Sequence, residues 1–169
     1  MEFSFLIHPS ELEEIEKKFV LNPESSEKIA LAKRFGFEEI KSFTINVCVK
    51  TIKAKHAVRV SGNINAKIVQ NCVVSMVPLE SIIDETFDVD FYDISHVVTE
   101  TFLDDGLFEI YENDVIDLGE VGAQELALAA NPYPRAEGLA DEVIGPYLIT
   151  KEDKKNKPFA ALAGIKQKK

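Results

Sequence analysis

Phe43-Thr44-Ile45-Asn46-Val47-Cys48-Val49 and, after a lysine-rich turn, Val58-Arg59-Val60-Ser61-Gly62-Asn63-Ile64-Asn65-Ala66-Lys67-Ile68 decide the fold of this chain. In both stretches an apolar residue stands at every second position, or a glycine in the case of Gly62. Side chains alternate across a strand, so this period puts one apolar face on a core and one polar face towards water, the mark of half-buried antiparallel strands. The second run is long for a single strand, and Gly62 in its middle predicts a bulge or bend. Phe87, Val89 and Phe91 alternate with Asp88 and Asp90 and predict a third strand, whose aspartates discourage edge-to-edge pairing. Phe108-Glu109-Ile110-Tyr111 is a short fourth candidate.

Working outward, Phe3, Phe5 and Ile7 read as a short edge strand ended by Pro9. Ser10-Glu11-Leu12-Glu13 has the form of a capping box and predicts a short helix to about Lys18. Asn22-Pro23 predicts a second helix start, with Ile29, Ala32 and Phe35 on one face and Gly36 as the stop. Asp117 predicts the N-cap of a further helix, with Glu120 reaching back to close a capping box. Along that helix Leu118, Val121, Glu125, Leu128 and Ala129 recur at helical spacing with Leu126 beside them, and Leu118, Leu126 and Leu128 are the expected core anchors. Pro132 and Pro134 end it. The expected class is α+β: a twisted antiparallel sheet, open or a partial barrel, with helices near 24–35 and 118–130 on one face. The expected layout is one domain over 1–135, an irregular linker over 136–157, and a short amphipathic turn with a basic tail over 158–169.

Charge is split along the chain. The formal net charge is −10, but residues 151–169 carry seven lysines against Glu152 and Asp153, which makes that segment +5 and leaves −15 on residues 1–150. An acidic body repels nucleic acid and favours basic partners. Lys154, Lys155, Lys157, Lys166, Lys168 and Lys169 are the candidate RNA contacts, since phosphate binding is driven by lysine and arginine. The composition is that of an ordinary globular protein, with 46% hydrophobic residues. Two cysteines, Cys48 and Cys72, make no disulfide framework. Met1-Glu2-Phe3-Ser4-Phe5 has no basic lead before its apolar residues, and no apolar run reaches membrane-spanning length. These features predict a cytoplasmic protein with reduced thiols and no membrane partner.

No catalytic constellation is present. The chain has no Gly-x-Ser-x-Gly elbow, no His-Glu-x-x-His and no glycine-rich phosphate loop, so neither an enzyme nor a small-molecule substrate is expected. Cys72-Val73-Val74-Ser75 has one cysteine where a zinc knuckle needs two, and His8, His56 and His96 form no ligand pair, so neither metal nor cofactor is expected. Asp84, Glu85, Asp88, Asp90, Asp93, Glu100, Asp104 and Asp105 form an acidic belt without calcium-loop spacing. It reads as a solvated face suited to a basic partner, with Asp88 and Asp90 as candidate contacts. Asn131-Pro132-Tyr133-Pro134-Arg135 is a proline-locked elbow. It either tucks Tyr133 into the core or displays Tyr133 and Arg135 to a partner at little ordering cost. Pro158-Phe159-Ala160-Ala161-Leu162 predicts one helical turn with Phe159 and Leu162 on one face, which either docks on its own domain or serves as a tethered, partner-binding plug.

Three blocks in order carry a family resemblance: Cys72-Val73-Val74-Ser75-Met76-Val77-Pro78, then Ile116-Asp117-Leu118 through Pro134 with Leu128 inside it, then Pro158-Phe159-Ala160-Ala161-Leu162 and a lysine-rich end. The chain resembles the YceD family of bacterial proteins, associated with accumulation of large-subunit ribosomal RNA, and the Pro-Tyr-Pro-Arg ending looks most like alphaproteobacterial members. The resemblance implies a non-enzymatic factor in large ribosomal subunit biogenesis, with ribosome assembly components, ribosomal protein or rRNA, as partners. The residues leave a second reading beside it: an acidic adaptor that holds a basic ribosomal protein or assembly enzyme and never touches RNA.

Overall fold

The computed structural model describes residues 2–12, 16–52, 57–96 and 108–137. Three long strands form its centre: β3 (Glu39–Ile52), β4 (Ala57–Asn71) and β5 (Pro78–Asp93). β2 (Lys17–Leu21) lies outside β3, and β6 (Phe108–Tyr111) lies beside the end of β5, giving the order β2-β3-β4-β5-β6. The sheet is open, since β2 and β6 are its two outer strands. Every pairing is antiparallel except β5 with β6, which is parallel and spans only Asp90–Asp93 of β5. A separate two-stranded ribbon joins β1 (Leu6–Ile7) to β7 (Ile116–Asp117). The helices are α1 (Ser25–Phe35) and α2 (Leu118–Ala129), so the class is α+β with a twisted, mainly antiparallel sheet.

The alternation that predicted β3 and β4 holds in detail. Phe43, Ile45, Val47 and Val49 of β3 and Val58, Val60, Ile64, Ala66 and Ile68 of β4 are buried on one face, joined there by Ile83, Phe87 and Phe91 of β5. α1 adds Leu31 and Ala32 to this cluster, and α2 adds Leu118, Val121, Ala123 and Leu126. The opposite face carries Thr44, Asn46, Asn63, Asn65 and Thr86, and Asn46 Nδ2 donates to Asn63 Oδ1 at 3.2 Å across β3 and β4.

Gly62 makes no bulge. It pairs in unbroken register with Val47 on one side and Phe87 on the other. A Cβ there would overlap the Asn46 carbonyl oxygen and press on the Phe87 ring, so the glycine marks a close approach between neighbouring strands. The register shift in this sheet lies between Ile40 and Ser42.

The N-terminal third departs from the sequence reading. Pro9–Glu11 is a single 3-10 turn, and Lys17 and Lys18, expected at the end of a helix, lie in β2 paired with Val49 and Cys48. Edge pairing to β3, which buries Leu21 and half-buries Phe19, outweighs the local capping signal. α1 is capped by Glu24, whose amide donates to Glu27 Oε2 at 2.6 Å, and not by Asn22. Asn22 instead accepts a hydrogen bond from Thr44 Oγ1 at 2.8 Å. Gly36 ends α1 in the left-handed region at φ 72, as predicted. The buried side of α1 is Leu31 and Ala32 with Phe35 packed beside them, while Ile29 faces solvent.

α2 is capped by Asp117, as predicted, through bonds from Gly119 N at 3.0 Å and Glu120 N at 3.2 Å. The same carboxylate accepts from Phe5 N at 2.8 Å and Ser4 Oγ at 2.7 Å, tying the N-terminal segment to the helix start. Glu120 does not close a capping box. It takes Arg34 of α1 in a two-pronged ion pair at 2.7 and 2.6 Å. The expectation for Leu128 is also corrected: it is 77% exposed, while Leu126 is 0% exposed. Two residues along a helix is about 200° of rotation, so when Leu126 faces the sheet Leu128 faces away. The packing face sets Leu118, Val121 and Leu126 among small residues, with Gly119 against the backbone of Ser4 and Phe5 and Gly122 against the Ile45 side chain.

Candidate functional site

The β4–β5 hairpin closes through residues 72–77. Cys72 N donates to the Val77 carbonyl and Met76 N to the Cys72 carbonyl, both at 2.9 Å, with Met76 in the left-handed region at φ 60. The elbow that follows α2 is fastened to this turn. Gln70 Nε2 donates to the Asn131 carbonyl at 3.0 Å and Val73 N to the Pro134 carbonyl at 2.9 Å. Ala136 N reaches the Cys72 sulfur at 3.3 Å. Asn131 Oδ1 accepts from Tyr133 N at 2.9 Å, holding the elbow's own bend. Two blocks about 60 positions apart in sequence thus form one structure, which the linear chain does not reveal.

The shape of this junction decides what it presents. Pro134 is buried against the turn, and Tyr133 is 70% exposed with Arg135 exposed beside it, so Tyr133 is displayed and not tucked into the core. Val73, Met76 and Val77 on the turn are exposed apolar residues. A groove of about 320 Å³ runs between Phe35 and Phe37 on one side and Val73, Ala130 and Pro132 on the other. Exposed aromatic and aliphatic side chains on a rigid, proline-locked frame can meet a partner at little ordering cost. Pro78, the last residue of the first family block, is exposed where β5 begins.

Cys72 sits inside the junction, fully enclosed. Its sulfur receives Ser75 N at 3.5 Å and Ala136 N at 3.3 Å, and the buried Ser75 hydroxyl beside it has no other partner among the described residues. The Ser75 hydroxyl first, then the Ala136 and Ser75 amides, hold the thiol down to about 6 from the ordinary 9.0. A folded-state value below the unfolded one adds stability that is complete above the unfolded value and lost as pH falls through the folded one. Denaturant unfolding from pH 9 down to pH 6 is therefore expected to show a progressive loss of stability that Cys72→Ser lacks. Identical pH slopes for the two proteins would show that the thiol is not charged in the fold. Among the described residues no group of three His, Cys, Asp or Glu side chains is placed to hold a metal ion.

Asp88 and Asp90 lie elsewhere. Asp90 accepts both prongs of Arg59 at 2.7 and 2.8 Å, and Asp88 lies 3.3 Å from the same guanidinium. The arginine is held charged chiefly by Asp90, so the carboxylates nearest the middle of the belt are already matched across strands. Glu80 is likewise clamped by Lys41 and Lys67. Asp84 and Glu85 have no ion pair among the described residues. With about 3.3 Å of rise per strand residue, Asp88 lies roughly 30 Å along β5 from the elbow, so the two candidate patches are separate surfaces. On α2, Glu125 is pushed up by burial and then by Glu109 of β6.

Several sequence-predicted positions lie outside the described residues: His56, Glu100, Asp104, Asp105, Pro158, Phe159, Leu162 and the tail lysines Lys154, Lys155, Lys157, Lys166, Lys168 and Lys169. Asp117 and Leu118 of the second family block are structural, since they cap α2 and anchor it. Sequence reasoning missed the Arg34–Glu120 clamp and the Gln70–Asn131 bond, whose partners are 86 and 61 positions apart. No local pattern announces either.

A family model described as Large ribosomal RNA subunit accumulation protein YceD matches residues 60–166, a span that takes in most of β4, the hairpin turn, β5, α2, the elbow and most of the basic segment. The chain belongs to this family, which ties it to ribosome biogenesis. No curated protein and no solved structure matches the chain. No helix among the described residues is long and apolar enough to cross a membrane.

Proposed function

We propose that this protein is a non-enzymatic cytoplasmic factor that supports large ribosomal subunit biogenesis by holding a basic protein component of the assembling particle. The observation that carries the reading is the family match over 60–166, since two of the blocks within it meet at one rigid junction that displays Tyr133, Arg135 and Met76. The −15 on residues 1–150 supports a protein partner over an RNA partner for the folded body. The basic segment at 151–169 is the part suited to phosphate, and residues 158–162 are a second partner-binding element beyond a linker at 136–157.

Gradient profiles of pre-ribosomal particles from cells with and without the protein test this. The expected result is accumulation of incomplete large-subunit particles when the protein is missing, with small-subunit particles unchanged. A Tyr133→Ala, Arg135→Ala double variant, folded as judged by circular dichroism, is expected to reproduce part of that defect. Unchanged large-subunit particles in cells lacking the protein would overturn the reading.

A further inference from the structure

β4 pairs with β5 along its whole length from Pro78 to Tyr92, while β6 pairs only with Asp90–Asp93 on the other side. Among the described residues, β5 therefore offers an unpaired edge over residues 79–89. The strand is regular there, since its register with β4 runs from Asn71↔Pro78 to Ala57↔Tyr92 without a shift. Folded proteins usually protect edges by keeping them short, bulged or covered. This one is long and unbulged, and it carries Ile82 at 82% exposure.

Charge selects the occupant. Asp84 and Glu85 have no ion pair among the described residues, and Asp88 shares Arg59 with Asp90. Like charges directly opposed across strands are destabilising, so two copies of this edge repel each other at these positions. A strand bearing lysine or arginine opposite them meets the reverse situation. We propose that the β5 edge takes an extended, basic polypeptide segment of a partner protein as an added strand. Main-chain hydrogen bonds would give the affinity, and Asp84 and Asp88 on one face of β5, with Ile83 and Phe87 on the other, would select a partner strand that alternates basic with apolar residues. The proposal rests on the basic-partner reading above and adds to the elbow a second contact, on the sheet edge.

A synthetic peptide of about ten residues alternating lysine with valine, long enough to span the open edge, is the probe. Titrated into the full chain and followed by hydrogen exchange, it is expected to slow exchange at alternate amides within residues 79–89. Asp84→Lys, Asp88→Lys, which reverses the charge on the face that meets the lysines, is expected to weaken binding by about tenfold or more. The same peptide N-methylated at every residue is expected not to bind. Binding that protects amides elsewhere and ignores the charge reversal would overturn the edge assignment. No binding by the unmethylated peptide would overturn it too, as would edge amides already protected in the free protein. Gradient profiles of cells lacking the protein keep the two claims apart: a large-subunit defect there, together with failure of the peptide assay, would sink the edge and leave the biogenesis reading in place.

Discussion

Leu126→Ala is expected to lower the stability of the folded chain by about 2–5 kcal/mol, the range for emptying a buried leucine site. Leu128→Ala, two residues along the same helix, is expected to change it by no more than about 0.5 kcal/mol. Leu126 is fully enclosed between α2 and the central strands, where Gly122 and Ala123 let the helix come close to Ile45 and its neighbours. That close approach leaves little room for the structure to collapse into the vacated space, which puts the cost towards the upper part of the range. Leu128 points away from that contact and loses nothing in the isolated protein. Chemical denaturation of both variants measures the difference. Equal destabilisation would mean that α2 is rotated from the orientation described.

Deleting residues 151–169 is expected to remove whatever affinity the protein has for ribosomal RNA. The segment is +5 and the remainder −15, so no other stretch of the chain offers a comparable attraction to phosphate. Each phosphate neutralised contributes about −0.7 to −0.9 to the slope of log affinity against log salt. Five neutralised phosphates would therefore weaken binding by on the order of 100–500-fold between 50 and 200 mM salt. The truncated protein is expected to retain a basic protein partner, because the acidic face of β5 and the elbow remain. Equilibrium binding of intact and truncated protein to a large-subunit rRNA fragment gives the answer. Full RNA affinity without the tail would require a basic surface on the folded body.

How far the sequence could be read follows from where side chains carry the signal. β3 and β4 were legible because both lie inside the sheet with one face in the core and one in water, the arrangement that writes period two. The first half of β5 was not. Its edge is open, Ile82 faces solvent next to buried Ile83, and the alternation breaks there. β2 carried a helix-start signal nearby and is a strand only because β3 offers it a partner, which is tertiary information. Asp117 marks the start of α2, and of its three expected anchors Leu118 and Leu126 are buried while Leu128 is exposed. Apolar counting follows large side chains, and the residues that let this helix approach the sheet are Gly119, Gly122 and Ala123. The two prolines make the elbow legible as rigid, but the sequence leaves open whether Tyr133 is tucked in or displayed, and the structure shows it exposed. The elbow's attachment to the Cys72 turn was not legible, because the bonds that make it run between main-chain and side-chain groups about 60 positions apart.

A protein that supports large-subunit biogenesis by contact is expected to travel with the particles it assembles. The most direct measurement is the amount of tagged protein that sediments with immature large-subunit particles, compared with mature subunits and with small-subunit particles, in extracts at physiological salt. The account predicts cofractionation with immature large-subunit particles, lost on combining Tyr133→Ala and Arg135→Ala with deletion of residues 151–169. Protein found only at the top of the gradient, or equally with small-subunit particles, would contradict it.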